Sequence, residues 1–175
     1  RAEGESATEI SPLATARDFH MRESEAYPAL YQESAARKTK DKAIGILQGR
    51  CVGGGTTVNW TSSFRTPETT LAYWRRAYGL EGFAVADLAP WFARMETRLG
   101  IAPWNVPPNA NNEALARGAA GLGIKAEVIR RNVKSCLNLG YCGLGCPVDA
   151  KQSMLVTTIP AALDRGATLV TRARA

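Results

Sequence analysis

Three consecutive glycines, Gly53 to Gly55 in the stretch QGRCVGGGTTVNW (residues 48–60), constrain this chain more than any other feature. A glycine inside a helix or strand costs roughly 0.5–1 kcal/mol relative to alanine, so a run of three needs a geometric reason. Two reasons are available. A backbone without side chains can turn sharply or pack closely against another element. It can also approach a ligand and present its N–H groups, the more so if a helix begins within GGGTTVN, where the dipole favours anions. Thr56 and Thr57 add hydroxyl donors. The run does not end in Gly-Lys-Ser/Thr, so it is not a P-loop, and its spacing is not that of GxGxxG. Taken alone, the glycines leave a tight turn and a ligand cradle level.

The rest of the chain reads as a mixed α+β sequence, mostly helices and loops with a few short strands. Residues 1–42 are polar and irregular, with a helix expected around ESEAYPALYQESAARK (residues 23–38) that Pro28 interrupts. The apolar, glycine-bounded stretch Ala43 to Gly49 reads as a strand. A helix is expected after Thr66, with Thr66 as N-cap, Pro67 in the first turn and Gly79 at its end. Val85, Leu88, Phe92, Met95 and Leu99 recur at intervals of three and four, the mark of an amphipathic helix closed by Gly100. A short helix follows from a cap at Asn111 or Asn112. KAEVIRR (residues 125–131) reads as a strand. KQSMLVTTIPAALDRG (residues 151–166) reads as a helix broken or restarted at Pro160, and ATLVTRARA (residues 167–175) as a last strand.

The chain has 175 residues and a net charge of +6. Its basic runs, RKTKDK (residues 37–42) and VIRRNVK (residues 128–134), lack interleaved aromatics, so solvated surfaces are expected rather than a nucleic-acid interface. No run of eighteen apolar residues exists and the N-terminus has no apolar h-region, so neither a transmembrane segment nor a signal peptide is expected, and the location is expected to be cytoplasmic. The first residue is Arg1, not Met, which suggests a processed or partial chain. The single histidine, His20, rules out a histidine-rich metal site and is expected to be exposed or to cap a helix. Cys136, Cys142 and Cys146 are spaced C-x5-C-x3-C, which fits neither zinc ribbons nor the usual iron–sulfur patterns. Half-buried thiols are the expectation. A disulfide, or a non-enzymatic cysteine-loop module that binds metal or a protein partner, remains the alternative.

The neighbours of the glycine run break the tie. Gly49, Arg50, Gly53, Gly54, Gly55, Thr56 and Asn59, followed by FRTP and LAYW, resemble the flavin-binding segment of the glucose–methanol–choline (GMC) oxidoreductases, with its Gly-Arg-x-x-Gly-Gly-(Ser/Gly)-(Ser/Thr)-x-x-Asn pattern. Cys142, Gly145, Cys146, Ala150, Lys151, Ser153, Gly166 and Ala167 resemble a second segment, found in members related to long-chain alcohol oxidases and choline dehydrogenase-like enzymes.

The resemblance covers nearly the whole chain and implies a single partial FAD-binding domain over residues 1–175. Residues 1–42 would lead in, 43–66 carry the flavin segment, 67–120 form a helical region, and 121–175 hold the cysteine loop, a helix and a strand. It implies FAD as cofactor, with Arg50, Val52, Gly53, Gly54, Thr56, Asn59, Trp60, Thr61 and Ala175 beside it. Asn59, Trp60 and Thr61 would lie near the isoalloxazine ring and Ala175 near the adenine. The implied reaction is oxidation of an alcohol by hydride transfer to the flavin, with oxygen, a quinone or a cytochrome subunit as electron acceptor. The family's GxGxxG unit and its active-site histidine have no counterpart here, so no catalytic residue is assigned.

Overall fold

The computed structural model describes residues 19–171. The expectation at Ala175, and the end of the strand expected over 167–175, lie outside the described residues. The chain divides into two compact units. One holds the described residues up to Thr61 and from Asn132 onward; the other is Ser62–Arg131.

In the first unit, α1 spans Glu23–Leu30 and contains Pro28. The helix ends two residues after the proline. The chain continues through a 3-10 turn at Gln32–Ala35, in which Glu33, Ser34 and Ala35 take left-handed backbone with φ of 52°, 53° and 66°. Residues 30–50 then double back on themselves. Tyr31 bridges Gly49 and Lys38 bridges Gly45, both antiparallel. Gln32 N–H donates to the Gln48 carbonyl at 2.8 Å, and Arg50 N–H to the Leu30 carbonyl at 2.7 Å. The strand expected at Ala43–Gly49 is therefore present only as isolated bridges. Left-handed residues in the facing segment break the pleat that a continuous ladder needs. The outcome is to deliver Gly49 and Arg50 beside the end of α1. The core of this unit is Ala26, Leu30, Tyr31 and Val58, with Tyr27, Cys51 and Leu144 packed against it.

The glycine run opens α2, a single turn at Gly55–Val58. Near the end of the chain, α6 spans only Thr158–Leu163, with turns over residues 154–157 before it. The long helix expected over 151–166 is thus reduced to its second part. Residues 151–153 are instead drawn into pairing with the segment after Arg131: Val133 bridges Lys151, and Gln152 N–H donates to the Asn132 carbonyl at 2.9 Å. Residues 167–171 form no strand.

In the second unit, α3 spans Glu68–Tyr78 and α4 spans Val85–Leu99. Pro67, not Thr66, occupies the cap position of α3, because its ψ of 144° is extended and the helix can begin only after it. Gly79 (φ 64°) and Gly100 (φ 60°) end the two helices in left-handed backbone, as the sequence implies. Ala84 N–H donates to the Asp87 carboxylate at 2.9 Å at the start of α4. Arg65 makes a two-pronged ion pair to Glu96 on that helix, 2.8 Å on each arm. Strand β1 (Ile101–Pro103) pairs with β2 (Arg130–Asn132) in a two-stranded sheet, so the strand expected over 125–131 survives only at its end. Between them α5 spans Ala110–Gly121. Its cap is Asn109, which accepts from Asn112 N–H, rather than Asn111 or Asn112.

Candidate flavin-binding segment and its brace

The four glycines of the motif divide into two pairs. Gly49 and Gly53 are packed. A Cβ on Gly49 would stand 2.4 Å from the Gly54 carbonyl oxygen, and one on Gly53 would stand 2.5 Å from the Thr57 hydroxyl and 3.1 Å from Leu155 N. Gly54 and Gly55 face open space, with nothing within 4 Å of where a Cβ would be. Gly54 also adopts φ 56° and ψ −138°, a conformation open to glycine and costly for other residues. The tight turn and the open cradle are therefore both present, in different glycines. An exposed, side-chain-free backbone of this kind fits a cofactor that must lie close to the chain.

The threonines behave differently from what their hydroxyls suggested. Thr56 Oγ1 donates to the Gly53 carbonyl and accepts from Met154 N–H at 3.0 Å. Thr57 Oγ1 donates to the Val52 carbonyl at 2.9 Å. Both hydroxyl protons are used inside the loop, so what the segment turns outward is backbone. Arg50 is exposed, and its guanidinium donates to the Pro28 carbonyl at 2.9 Å, tying the loop to α1. The helix that begins at Gly55 is one turn long, too short to build a macrodipole of consequence.

Beyond the turn, the side chain of Asn59 accepts from Thr61 N–H at 3.0 Å, closing an Asx turn. Asn59 is exposed, and Trp60 is 62% exposed with one edge of its indole pressed against Gly143. Thr61 is only 1% exposed and sits at φ 66°. For a β-branched residue that region is an outlier. Arg50, Val52, Gly53, Gly54, Thr56, Asn59, Trp60 and Thr61 lie on one segment of one unit, running into and out of the single turn of α2.

Lys151, 3% exposed, holds this loop from ninety residues away. Its ammonium donates to the carbonyls of Thr57 (2.8 Å), Asn59 (2.6 Å) and Cys142. The first two belong to the C-terminal end of α2, where carbonyls have no partner inside the helix. A lysine is a suitable donor there because it carries three N–H groups on a flexible stem. The sequence marked Lys151 only as one letter of a motif. Tyr31, likewise given no role by the sequence, donates its buried hydroxyl to the carbonyl of Gly143, with Val58 O at 3.5 Å. Burial pushes its phenol up to about 12.

The cysteine loop is organised by aromatic rings. Trp60 lies on Gly143, and Phe19 lies 2.9 Å from where a Cβ of Gly145 would be. The Phe19 and Tyr141 rings meet edge to face at 5.9 Å. None of the four cysteines is in a disulfide. Among the described residues no group of three His, Cys, Asp or Glu side chains is placed to hold a metal ion. Burial raises the Cys51 thiol, which favours its protonated form. His20 is exposed and lies 2.6 Å from Glu25, which Arg22 also contacts. Among the described residues no helix is long and apolar enough to cross a membrane.

The model of the GMC oxidoreductase family matches residues 27–175. The chain belongs to the GMC oxidoreductases. Among its relatives, an uncharacterised GMC-type oxidoreductase of Sinorhizobium fredii is 35% identical over 75% of this chain and 26% of its own. A long-chain-alcohol oxidase of Arabidopsis thaliana is 30% identical over 92% of this chain and 22% of its own. An uncharacterised GMC-type oxidoreductase of Mycobacterium tuberculosis is 33% identical over 85% of this chain and 24% of its own. The chain thus spans about a quarter of the length of these relatives. No solved structure matches it. The α+β fold class, with helices and a two-stranded sheet, is consistent with part of a GMC FAD-binding domain.

Proposed function

We propose that this chain is the FAD-binding portion of a flavoprotein that oxidises an alcohol at its CH–OH carbon. The observation that carries the reading is the open backbone of Gly54 and Gly55, set within a motif order that family membership supports. FAD, when bound, supplies the ring that accepts a hydride from the alcohol carbon. This chain's own residues supply position. Gly54 and Gly55 let the cofactor approach the main chain without steric cost. Gly49 and Gly53 allow the turn that holds them there. Asn59 to Thr61, fixed by the Asx turn and the Lys151 contacts, form the wall of the ring site. Trp60, largely exposed in this unit, presents an apolar face that would exclude water from the same side. Ala175 is the residue we would place near the adenine.

Among the relatives are several named long-chain-alcohol oxidases, so long aliphatic alcohols are the substrates to try first. No residue here is assigned as the proton-accepting base. The electron acceptor is oxygen, a quinone or a cytochrome partner, to be separated by assay. The test is to purify the intact protein, record its visible spectrum, and follow bleaching of the flavin band anaerobically with dodecanol. Stoichiometric FAD bleached by alcohol is the expected result. A colourless protein that takes up no FAD on titration would refute the reading.

A further inference from the structure

We propose that Lys151 is a positioning residue for the flavin ring: a brace that sets the conformation of the Asn59–Thr61 stretch and holds it in register with the cysteine loop. The inference rests on the flavin-binding reading above and adds to it a residue that lies outside the glycine segment.

Burying an ammonium is costly, and a buried ionic group is often replaceable by an apolar one of similar size without loss of stability. Lys151 is nonetheless 97% removed from solvent, and the groups around its Nζ have a particular distribution. Two of its acceptors, the carbonyls of Thr57 and Asn59, bracket the last residues of α2. The third, the carbonyl of Cys142, belongs to the glycine-rich cysteine loop. Lys151 therefore sets a distance between two segments that otherwise meet through the Trp60 ring on Gly143 and the Tyr31 hydroxyl. A leucine or methionine would fill the space without imposing that distance, because apolar contact is not directional.

What is held is strained. Thr61 is β-branched, buried and at φ 66°, a state that persists only where the surroundings over-determine it. Three constraints converge on it. The Asn59 side chain accepts from its N–H, the Asn132 N–H donates to its carbonyl at 3.2 Å, and Lys151 anchors the Asn59 carbonyl two residues upstream. The segments of Asn132 and Lys151 are themselves linked, since the Asn132 side chain donates to the Gln152 carbonyl at 3.0 Å and Val133 bridges Lys151. The segment at 132–134 and 150–152 thus acts as a frame, and the Asn59–Thr61 stretch is stretched across it. Strained backbone held by a frame is the arrangement expected where a wall must keep its shape before the ligand arrives.

The experiment compares the intact flavoprotein with its Lys151→Met, Lys151→Arg and Tyr31→Phe variants. Tyr31→Phe removes buried hydrogen bonds to Gly143 of the same cysteine loop and to Val58 but none to Asn59, so it separates loss of a buried bond between the two segments from loss of the Asn59 anchor. Four quantities are read: the melting temperature without FAD, the FAD dissociation constant from fluorescence quenching, the visible circular dichroism of the bound flavin, and its midpoint potential. We expect Lys151→Met to weaken FAD binding at least tenfold and to change the flavin dichroism at saturating FAD. Tyr31→Phe should leave the dichroism as it is, even where its melting temperature falls by as much. Arginine keeps the cation but has a planar fork in place of a tetrahedral head, so Lys151→Arg should fold and show an altered dichroism of smaller size. If Lys151→Met fails to fold, Lys151→Arg decides. Flavin affinity within twofold and unchanged dichroism in the deciding variant would overturn the positioning role and leave the flavin reading intact. An unaltered protein that binds no FAD would overturn both.

Discussion

Substituting alanine at Gly49 and at Gly55 should have opposite consequences, although only six positions separate them. At Gly49 the new Cβ would meet the Gly54 carbonyl oxygen at 2.4 Å, its carbon at 2.5 Å and Gly55 N at 2.9 Å. Ordinary contact begins at 3.4 Å, so the deficit at the oxygen is 3.4 − 2.4 = 1.0 Å. The obstacle is backbone and cannot rotate away. It is also held from the far side, because Gly54 N–H donates to the Cys51 carbonyl at 2.8 Å and Arg50 N–H to the Leu30 carbonyl at 2.7 Å. Overpacking of this kind costs about 3 kcal/mol, the upper part of the usual range. For a domain of this size that corresponds to a fall in melting temperature on the order of 10 °C. At Gly55 a Cβ meets nothing within 4 Å, and the residue begins a helix in backbone that alanine adopts freely. Gly55→Ala should leave the FAD-free protein unchanged or about 0.5 kcal/mol more stable, through the unfolded chain. On the proposed cradle it should nevertheless weaken FAD binding at least tenfold, since the methyl group would occupy the space that the proposal gives to the cofactor. Thermal melts of the FAD-free variants and FAD titrations measure both effects. A Gly49→Ala protein that melts with the parent would refute the close approach, and a Gly55→Ala protein that binds FAD normally would refute the cradle.

Two further predictions concern pH. Burial raises the Tyr31 phenol from 10 to about 12, so its neutral form stabilises the fold fully below pH 10, and that contribution is lost as pH rises towards 12. Alkaline unfolding followed by circular dichroism should therefore begin in this window for the parent and be flatter across it for Tyr31→Phe; identical profiles would contradict the buried hydroxyl. Glu96 is held below the usual carboxylate range, first by its hydrogen bond to Arg65 and also by the charges of Arg130 and Arg65. Its stabilising contribution is present above the unfolded value near 4.5 and lost as pH falls through the lowered folded value, so the melting-temperature gap between parent and Glu96→Gln should be widest at pH 7 and narrow steadily as pH falls below 4.5.

Local rules carried the helices of the second unit furthest. The three-and-four spacing from Val85 to Leu99, with Gly100 behind it, marks α4 at both ends, because side-chain period and a left-handed stop are properties of the chain within a few residues. The caps lie one to three residues from the expected positions where several capping residues compete. Thr66 is a good cap in isolation, but Pro67 holds extended backbone and takes the position. Asn109 is the asparagine that stands directly after Pro107 and Pro108, and it caps α5 ahead of Asn111 and Asn112. Strands are the elements least legible in the sequence. An apolar stretch such as Ala43 to Gly49 becomes a strand only if its partner is pleated, and the left-handed residues Glu33 to Ala35 deny it one.

The order Gly49, Arg50, Gly53, Gly54, Gly55, Thr56, Asn59 is legible in the sequence by itself and carries the resemblance to the family, since the pattern is contiguous and every position is close to the next along the chain. Which glycines serve packing and which leave room was decided only by the tertiary structure, because the difference lies in what stands opposite each Cα: Gly54 for Gly49, open space for Gly55. The same holds for the brace. Beyond its place in the second motif, nothing within several residues of Lys151 distinguishes it from a surface lysine. Its role comes from carbonyls 94, 92 and 9 residues away that the fold gathers around one ammonium, and contacts at such separations leave no period for a sequence to display.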